Sequence, residues 1–240
     1  MIAKVLFWGS LGALAWTHVG YPAAMGALAR VRPRPVGRRD IEPSVALIVS
    51  AHDEEDVIGR RVENLLALDY PAERLEIVVA SDGSGDATDA IVEEFAAREA
   101  RVRLLRCPRE GKVAAQHRAV RETESEVVAF TDANTAWRPD ALRRLVRNLA
   151  DSEVGYVCGL LRLESPDGAN LEGIYWRYET WVREQESRAS SITAGNGAIY
   201  AVRREAYVDD DPKFGHDFGL PYAMEQQGRR AVYDPEAIAV

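Results

Sequence analysis

The stretch Val45-Ala-Leu-Ile-Val-Ser-Ala-His-Asp-Glu-Glu55 opens on five apolar residues and closes on polar and acidic ones. A short continuous apolar run of this kind suits a strand buried on both faces of a parallel sheet. Helical spacing follows over 53–68, carried by Val57, Ile58, Val62, Leu65, Leu66 and Leu68. The alternation then repeats: strand 75–80, helix 86–98, strand 102–106, helix 112–122, strand 127–131, helix 139–150. Strands alternating with helices predict an α/β fold whose strands run parallel. Beyond Ala150 the pattern changes to a strand at 154–163, a long aromatic helix at 171–190, a strand at 198–202, a helix at 218–227 and a short strand at 231–233.

Outward from this core, the composition bounds the function. The 240 residues are 47% apolar and 28% charged, an ordinary globular mix. The net charge is −8, without the basic footprint that nucleic-acid binding requires. Cys107 and Cys158 stand alone, so neither a disulfide framework nor a zinc knuckle is expected. The charge is uneven. Residues 1–43 carry six basic side chains against two acidic ones, leaving −12 on the remainder.

Within the basic head, residues 5–29 contain no Asp, Glu, Lys or Arg. As a helix they would rise ~1.5 Å per residue, roughly 37 Å, enough for a ~30 Å hydrocarbon core. Five arginines follow between Arg30 and Arg39. They favour a retained anchor over a cleaved signal peptide, although Ala27-Leu-Ala29 resembles a cleavage site. The expected organisation is a transmembrane anchor at 1–29, a basic Arg/Pro linker at 30–43 and an acidic α/β domain at 44–240. Arginine asymmetry places that domain in the cytoplasm, behind a single pass through the cell membrane.

In open α/β sheets ligands bind beyond the carboxyl ends of the strands. Three such ends carry chemistry: Ser50-Ala-His-Asp-Glu54, Ser81-Asp-Gly-Ser84 and Thr131-Asp-Ala-Asn134. Neither GxGxxG nor GxxxxGK[ST] occurs, which disfavours a dinucleotide site and a P-loop. Asp82, Ser84, Asp86 and Glu93 mimic a calcium loop, but Ala87 stands where glycine is needed, so a capped strand-to-helix turn is the better reading. Asp132 and Asn134, two residues apart, can reach one hard cation or form an Asx-turn. An acidic domain that binds a phosphate substrate favours the cation as a bridge. Lys112 opens a helix, where it can meet a phosphate or simply be solvated. Asp217 can be a helix N-cap or a general base. The aromatic helix around Tyr175 and Trp181 can stack on sugars or serve as packing.

Together these residues resemble the inverting glycosyltransferase family 2. Val45–Glu55 is similar to its "VSVIIPAYNEE" start, Ile77–Thr88 to "VVDDGSTDGT", and Gly111–Val120 to "GKAxALNxG". Phe130–Asn134 sits where the family has its DxD motif. Gly195–Arg203 and His216–Leu220 resemble its glycine-rich stretch and ED motif. The resemblance covers 44–240 and implies a GT-A fold, a Rossmann-like mixed, mostly parallel sheet flanked by helices, here behind one N-terminal transmembrane helix.

It further implies transfer of a sugar from a nucleotide-sugar, a UDP-sugar, to a glycan or lipid-linked acceptor in cell-surface polysaccharide synthesis. Ser50, His52, Glu54 and Asp82 would hold the nucleoside, with Asp82 accepting from the uracil ring. Lys112 would meet the diphosphate, Asp132 and Asn134 the Mg²⁺ or Mn²⁺, and Asp217 would deprotonate the acceptor. The departures are His52 for tyrosine, Asp53 for asparagine, Asn134 for the second acid of DxD, and His216 for the glutamate of ED. No QxxRW motif, the mark of processive cellulose, chitin and hyaluronan synthases, occurs in the 240 residues, so against the family the 44–240 domain reads as truncated at its C-terminus or as non-processive. Asn134 keeps open a degenerate domain that binds nucleotide-sugar within an envelope assembly.

Overall fold

The computed structural model describes residues 1–163, 173–209 and 215–240. Seven strands form one sheet: β1 Val45–Ala51, β2 Leu75–Asp82, β3 Val102–Cys107, β4 Val127–Asp132, β5 Val154–Leu161, β6 Tyr200–Arg203 and β7 Arg230–Ala239. Their order is β3-β2-β1-β4-β6-β5-β7. The first four strands pair in parallel, β6 runs antiparallel between β4 and β5, and β7 returns parallel to β5. The expected mixed, mostly parallel sheet is therefore present.

Eight α-helices accompany it among the described residues. They are α1 Ile2–Ala15, α2 Tyr21–Val31, α3 Ile58–Leu66, α4 Thr88–Ala96, α5 Lys112–Arg121, α6 Ala141–Val146, α7 Ile174–Ala189 and α8 His216–Gln226. The apolar run at Val45 alternates between two cores. Val45, Leu47 and Val49 join one with α3 and α6, while Ala46 and Ile48 join the other with α5 and α8. Both faces of β1 are buried, which is why its sequence shows no polar alternation.

Several boundaries differ from the sequence pattern. The expected helix at 139–150 is α6 followed by a 3₁₀ turn, Arg147–Ala150. The start of the 171–190 helix lies outside the described residues; α7 runs from Ile174. The last strand is longer than expected. Asp234-Pro-Glu236 looks like a turn, yet β7 passes through it by an irregularity opposite Gly159 and Leu160. Asp234 is fully buried there, accepting from Arg147 Nε at 3.0 Å and Asn148 Nδ2 at 2.8 Å.

At the N-terminus, no helix among the described residues is long and apolar enough to cross a membrane. The expected single span over 5–29 is divided by a π-helical turn, Trp16–Gly20, between α1 and α2. Right-handed helical backbone continues through both junctions, with Trp16 at φ −63° and Tyr21 at φ −62°. A Cβ on Gly20 would lie 2.5 Å from the Trp16 ring, so glycine lets that ring fold over the turn. The His18 carbonyl there accepts from the Tyr178 hydroxyl of α7 at 2.6 Å. Gly26 abuts Trp181, and the Tyr21 hydroxyl donates to the buried Glu186 at 2.5 Å. These aromatic residues of α7 thus serve helix packing. Helix α1 has no buried residue, and Leu6, Phe7 and Trp8 are all more than 60% exposed.

The arginine-rich segment is strapped onto the domain rather than hanging free. Arg34 N–H donates to the Arg188 carbonyl at 2.8 Å, and Arg38 Nε donates to Asn148 Oδ1 at 2.8 Å.

Candidate active site

Parallel register brings the strand ends level. Ser50 on β1 stands opposite Ala80 on β2 and Asp132 on β4. Beyond them opens a cavity of about 380 Å³ whose lining includes Ser50, His52, Glu54, Asp82, Lys112, Asp132 and Asn134. All seven donor-side residues singled out in the sequence thus share one crevice. Its wall is fixed by two loops that hold each other. Glu54 N–H donates to Thr88 Oγ1 at 2.8 Å, Glu55 N–H to Asp86 at 3.0 Å, and Ala87 N–H to Glu55 at 2.8 Å. Asp86 also accepts from Thr88 N–H at 2.9 Å, the bond of a capped turn into α4, while Asp89 and Glu93 pair with Arg106. Asp53 takes the left-handed φ of 53° that lets its carboxylate accept from Gly85 N–H at 2.7 Å.

Asp82 is only 3% exposed. Its carboxylate accepts from Arg109 Nη1 at 2.7 Å, from Glu110 N–H at 2.9 Å and from Gly111 N–H at 3.1 Å. It thereby anchors the loop that delivers α5. Gly111 has φ 98° and ψ 161°, backbone open only to glycine, and this turn aims Lys112 into the crevice. Lys112 Nζ is paired with Asp132 Oδ1. An ammonium in that place shows that the crevice admits a cation against Asp132. A carboxylate and the exposed amide of Asn134 are oxygen donors fit for a hard divalent ion. No group of three His, Cys, Asp or Glu side chains within metal-binding reach occurs among the described residues.

Behind Asp132 lies Arg61, 2% exposed on α3. It donates to Thr131 Oγ1 at 2.5 Å and lies over the Trp137 ring. Burial pulls its guanidinium down to about 9, while Asp132 pushes it up.

Asp217 is set apart from the seven. It does not line the donor cavity; it is the second residue of α8, half-buried, with its carboxylate folded back over Gly215. Helix α8 contains Pro221. Proline has no N–H to give the carbonyl four residues earlier. That carbonyl belongs to Asp217, and it accepts from Gly195 N–H at 2.8 Å instead. The loop that starts at Gly195 then passes Gly197, where a Cβ would stand 3.3 Å from Lys112 Nζ and 3.8 Å from Asp132 Oδ2. The glycine stretch therefore links Asp217 to the donor crevice.

His216 is 3% exposed. Burial lowers its imidazole to about 3, with His117 and Lys112 adding to the effect. Sequence reasoning did not single out Arg109, Arg61 or the rings around His216. Arg109 was signalled by its place just before Gly111-Lys112. Arg61 was signalled by an arginine on the apolar face of Ile58, Val62 and Leu65.

The sequence model of the family described as "Glycosyl transferase family 2" matches residues 46–209. A β-monoglucosyldiacylglycerol synthase of Trichormus variabilis is 28% identical over 211 residues, which are 83% of this chain and 44% of that protein. An N-acetylglucosaminyltransferase of Sinorhizobium fredii is 28% identical over 224 residues, 85% of this chain and 54% of that one. The chain thus spans about half the length of these curated relatives. Among solved structures, a mannosyltransferase of Pyrobaculum calidifontis in complex with GDP-Man and Mn²⁺ superposes with a TM-score of 0.75 at 27% identity, over 95% of this chain and 66% of its own. GalNAc-T7 with UDP, GalNAc and Mn²⁺, at 17% identity and a TM-score of 0.65, shares the fold. With more than half its length matched by the family's sequence model, this chain belongs to glycosyl transferase family 2.

Proposed function

We propose that the chain is an inverting, metal-assisted glycosyltransferase that moves a sugar from a nucleotide-sugar, a UDP-sugar, to a glycan or lipid-linked acceptor at the cell membrane. The carrying observation is the single crevice that gathers seven donor-side residues at three level strand ends. The neighbour bound to GDP-Man and Mn²⁺ supports a nucleotide-sugar donor, and the synthase named for a glycolipid supports a lipid acceptor.

In this reading Ser50, His52 and Glu54 contact the nucleoside. Asp82 acts on it through the loop it anchors, and through any carboxylate lone pair left facing the crevice. Lys112 leaves Asp132 and meets the diphosphate, while Asp132 and Asn134 hold Mg²⁺ or Mn²⁺. When bound, the cation supplies positive charge against the departing diphosphate. Asp217 takes the acceptor hydroxyl's proton as that oxygen attacks the anomeric carbon from the face opposite the diphosphate. Purified protein with a panel of nucleotide-sugars and membrane lipid extract should release free nucleoside diphosphate. Tight donor binding without release under every condition would favour the degenerate, binding-only domain.

The exposed apolar surface of α1 and the arginines beside α2 support membrane attachment with the domain in the cytoplasm. A C-terminal reporter should be active only in the cytoplasm; activity only on the far side would reverse this topology.

A further inference from the structure

A buried polar cluster joins the two halves of the site without lining the donor cavity. His216 Nδ1 is 2.8 Å from the Tyr200 hydroxyl, and Nε2 is 3.3 Å from the Tyr207 hydroxyl. The imidazole stacks on His117 with ring centres 5.2 Å apart and meets the edge of Phe130 at 5.2 Å. The Tyr200 hydroxyl also accepts from Gln116 Nε2 at 3.4 Å. Gln116 and His117 lie one turn beyond Lys112 on α5. On the other side, Asp217 follows His216 directly and is held through its carbonyl by Gly195.

We propose that His216 is a positioning residue: through Tyr200 and Gln116 it locks Asp217 in register with the helix that carries Lys112. The proposal rests on the reading of Asp217 as the base. The titratable and charged groups that act on the imidazole among the described residues are Tyr200, Tyr207, His117 and Lys112. A carboxylate at this place would bury a negative charge next to the half-buried Asp217, which is costly unless a cation pairs with it. An imidazole fills the same connection without charge, since each ring nitrogen has a hydroxyl that can complement it. Helix α8 thereby gains a fixed N-terminus, although its N-cap, Gly215, has no side chain to offer.

Three variants separate positioning from simple filling of space. His216→Phe keeps the ring and its stacking but loses both nitrogens. His216→Asn keeps a polar atom at the Nδ1 place, and Tyr200→Phe removes the partner. Turnover of His216→Phe should fall about 10–100-fold, as for a misplaced reacting group, with donor KM within about twofold. Its melting temperature should stay within about 3 °C of the parent. His216→Asn should recover most of the loss, and Tyr200→Phe should reproduce part of it.

The carboxyl carbon resonance of Asp217, followed by NMR at one fixed pH, should move in His216→Phe because the carboxylate changes its surroundings. This readout needs no turnover, so it decides the proposal even if no donor is found for the parent. Normal turnover and an unmoved Asp217 resonance in His216→Phe would overturn it. So would a donor KM that rises in step with the loss, or a loss that follows melting temperature across all three variants.

Discussion

The crevice at the strand ends, proposed to take the donor half of the reaction, and the region around Asp217, proposed to take the acceptor half, are built by different means. The first sits where β1, β2 and β4 end in parallel: Ser50, Asp82 and Asp132 stand at the carboxyl ends of the strands, His52, Glu54 and Asn134 just beyond them, and Lys112 opens α5. Its loops then bind each other, with Asp82 fastening the turn before Lys112. The acceptor half stands beside β6, the one strand antiparallel to its neighbours. Its candidate base is set by a proline four residues on, by a glycine N–H from another loop and by a buried histidine. Groups carried by parallel strand ends inherit their alignment from the sheet; groups beside the antiparallel strand must be aligned by tertiary contacts. The donor half should therefore tolerate changes in its neighbours, and the acceptor half should not.

The largest test of that contrast is Asp217→Asn. The structure places Gly215, not Asp217, at the N-cap of α8, so the capping role the sequence also allowed falls away. Turnover should fall roughly 10²–10⁴-fold with donor affinity unchanged, because asparagine keeps the size of aspartate but accepts no proton. Near-normal turnover, measured with saturating donor, would remove Asp217 from the mechanism. Next comes Lys112→Ala, which removes a charged donor from the diphosphate. Donor affinity by calorimetry should weaken about 10–100-fold, the worth of a hydrogen bond to a charged group. A change confined to turnover would move Lys112 into the acceptor half.

Pro221→Ala sharpens the comparison further. It returns an N–H to α8, which competes with Gly195 for the Asp217 carbonyl. Steady-state kinetics should show turnover lowered about fivefold, roughly 1 kcal/mol, with donor affinity unaltered.

The smallest effect concerns acid. His216 is held at about 3 in the folded chain against an ordinary value of 6.5. Between those values the unfolded chain takes up a proton that the folded chain refuses, so stability falls as pH drops from about 6.5 toward 3. His216→Asn lacks this proton, and its melting temperature should decline less over that range than the parent's.

The same contrast explains what could be read from the sequence. Val45–Val49 announced a strand buried on two faces, and the acids after it announced a crevice, because both signals are local. Asp132, Asn134 and Lys112 could be grouped because strand ends in a parallel sheet share one edge. The bond from Gly195 to the Asp217 carbonyl had no local signal except a proline inside a helix. Tyr200 and Tyr207 read as ordinary strand and loop residues, and only the antiparallel placement of β6 brings them to His216. At the N-terminus, the absence of charge over 5–29 was legible. The π-helical turn at Trp16–Gly20, whose His18 carbonyl meets Tyr178 of α7, was not, because that contact joins residues far apart in the chain.

The central claim is that the three strand ends hold a nucleoside diphosphate with a divalent cation on Asp132. Calorimetric titration of UDP into the protein, in millimolar Mn²⁺ and again in EDTA, tests it directly. The account predicts binding at least about tenfold tighter with Mn²⁺, a difference of about 1.4 kcal/mol that vanishes in Asp132→Ala. Equal affinity with and without the metal, or a metal effect that survives Asp132→Ala, would contradict it.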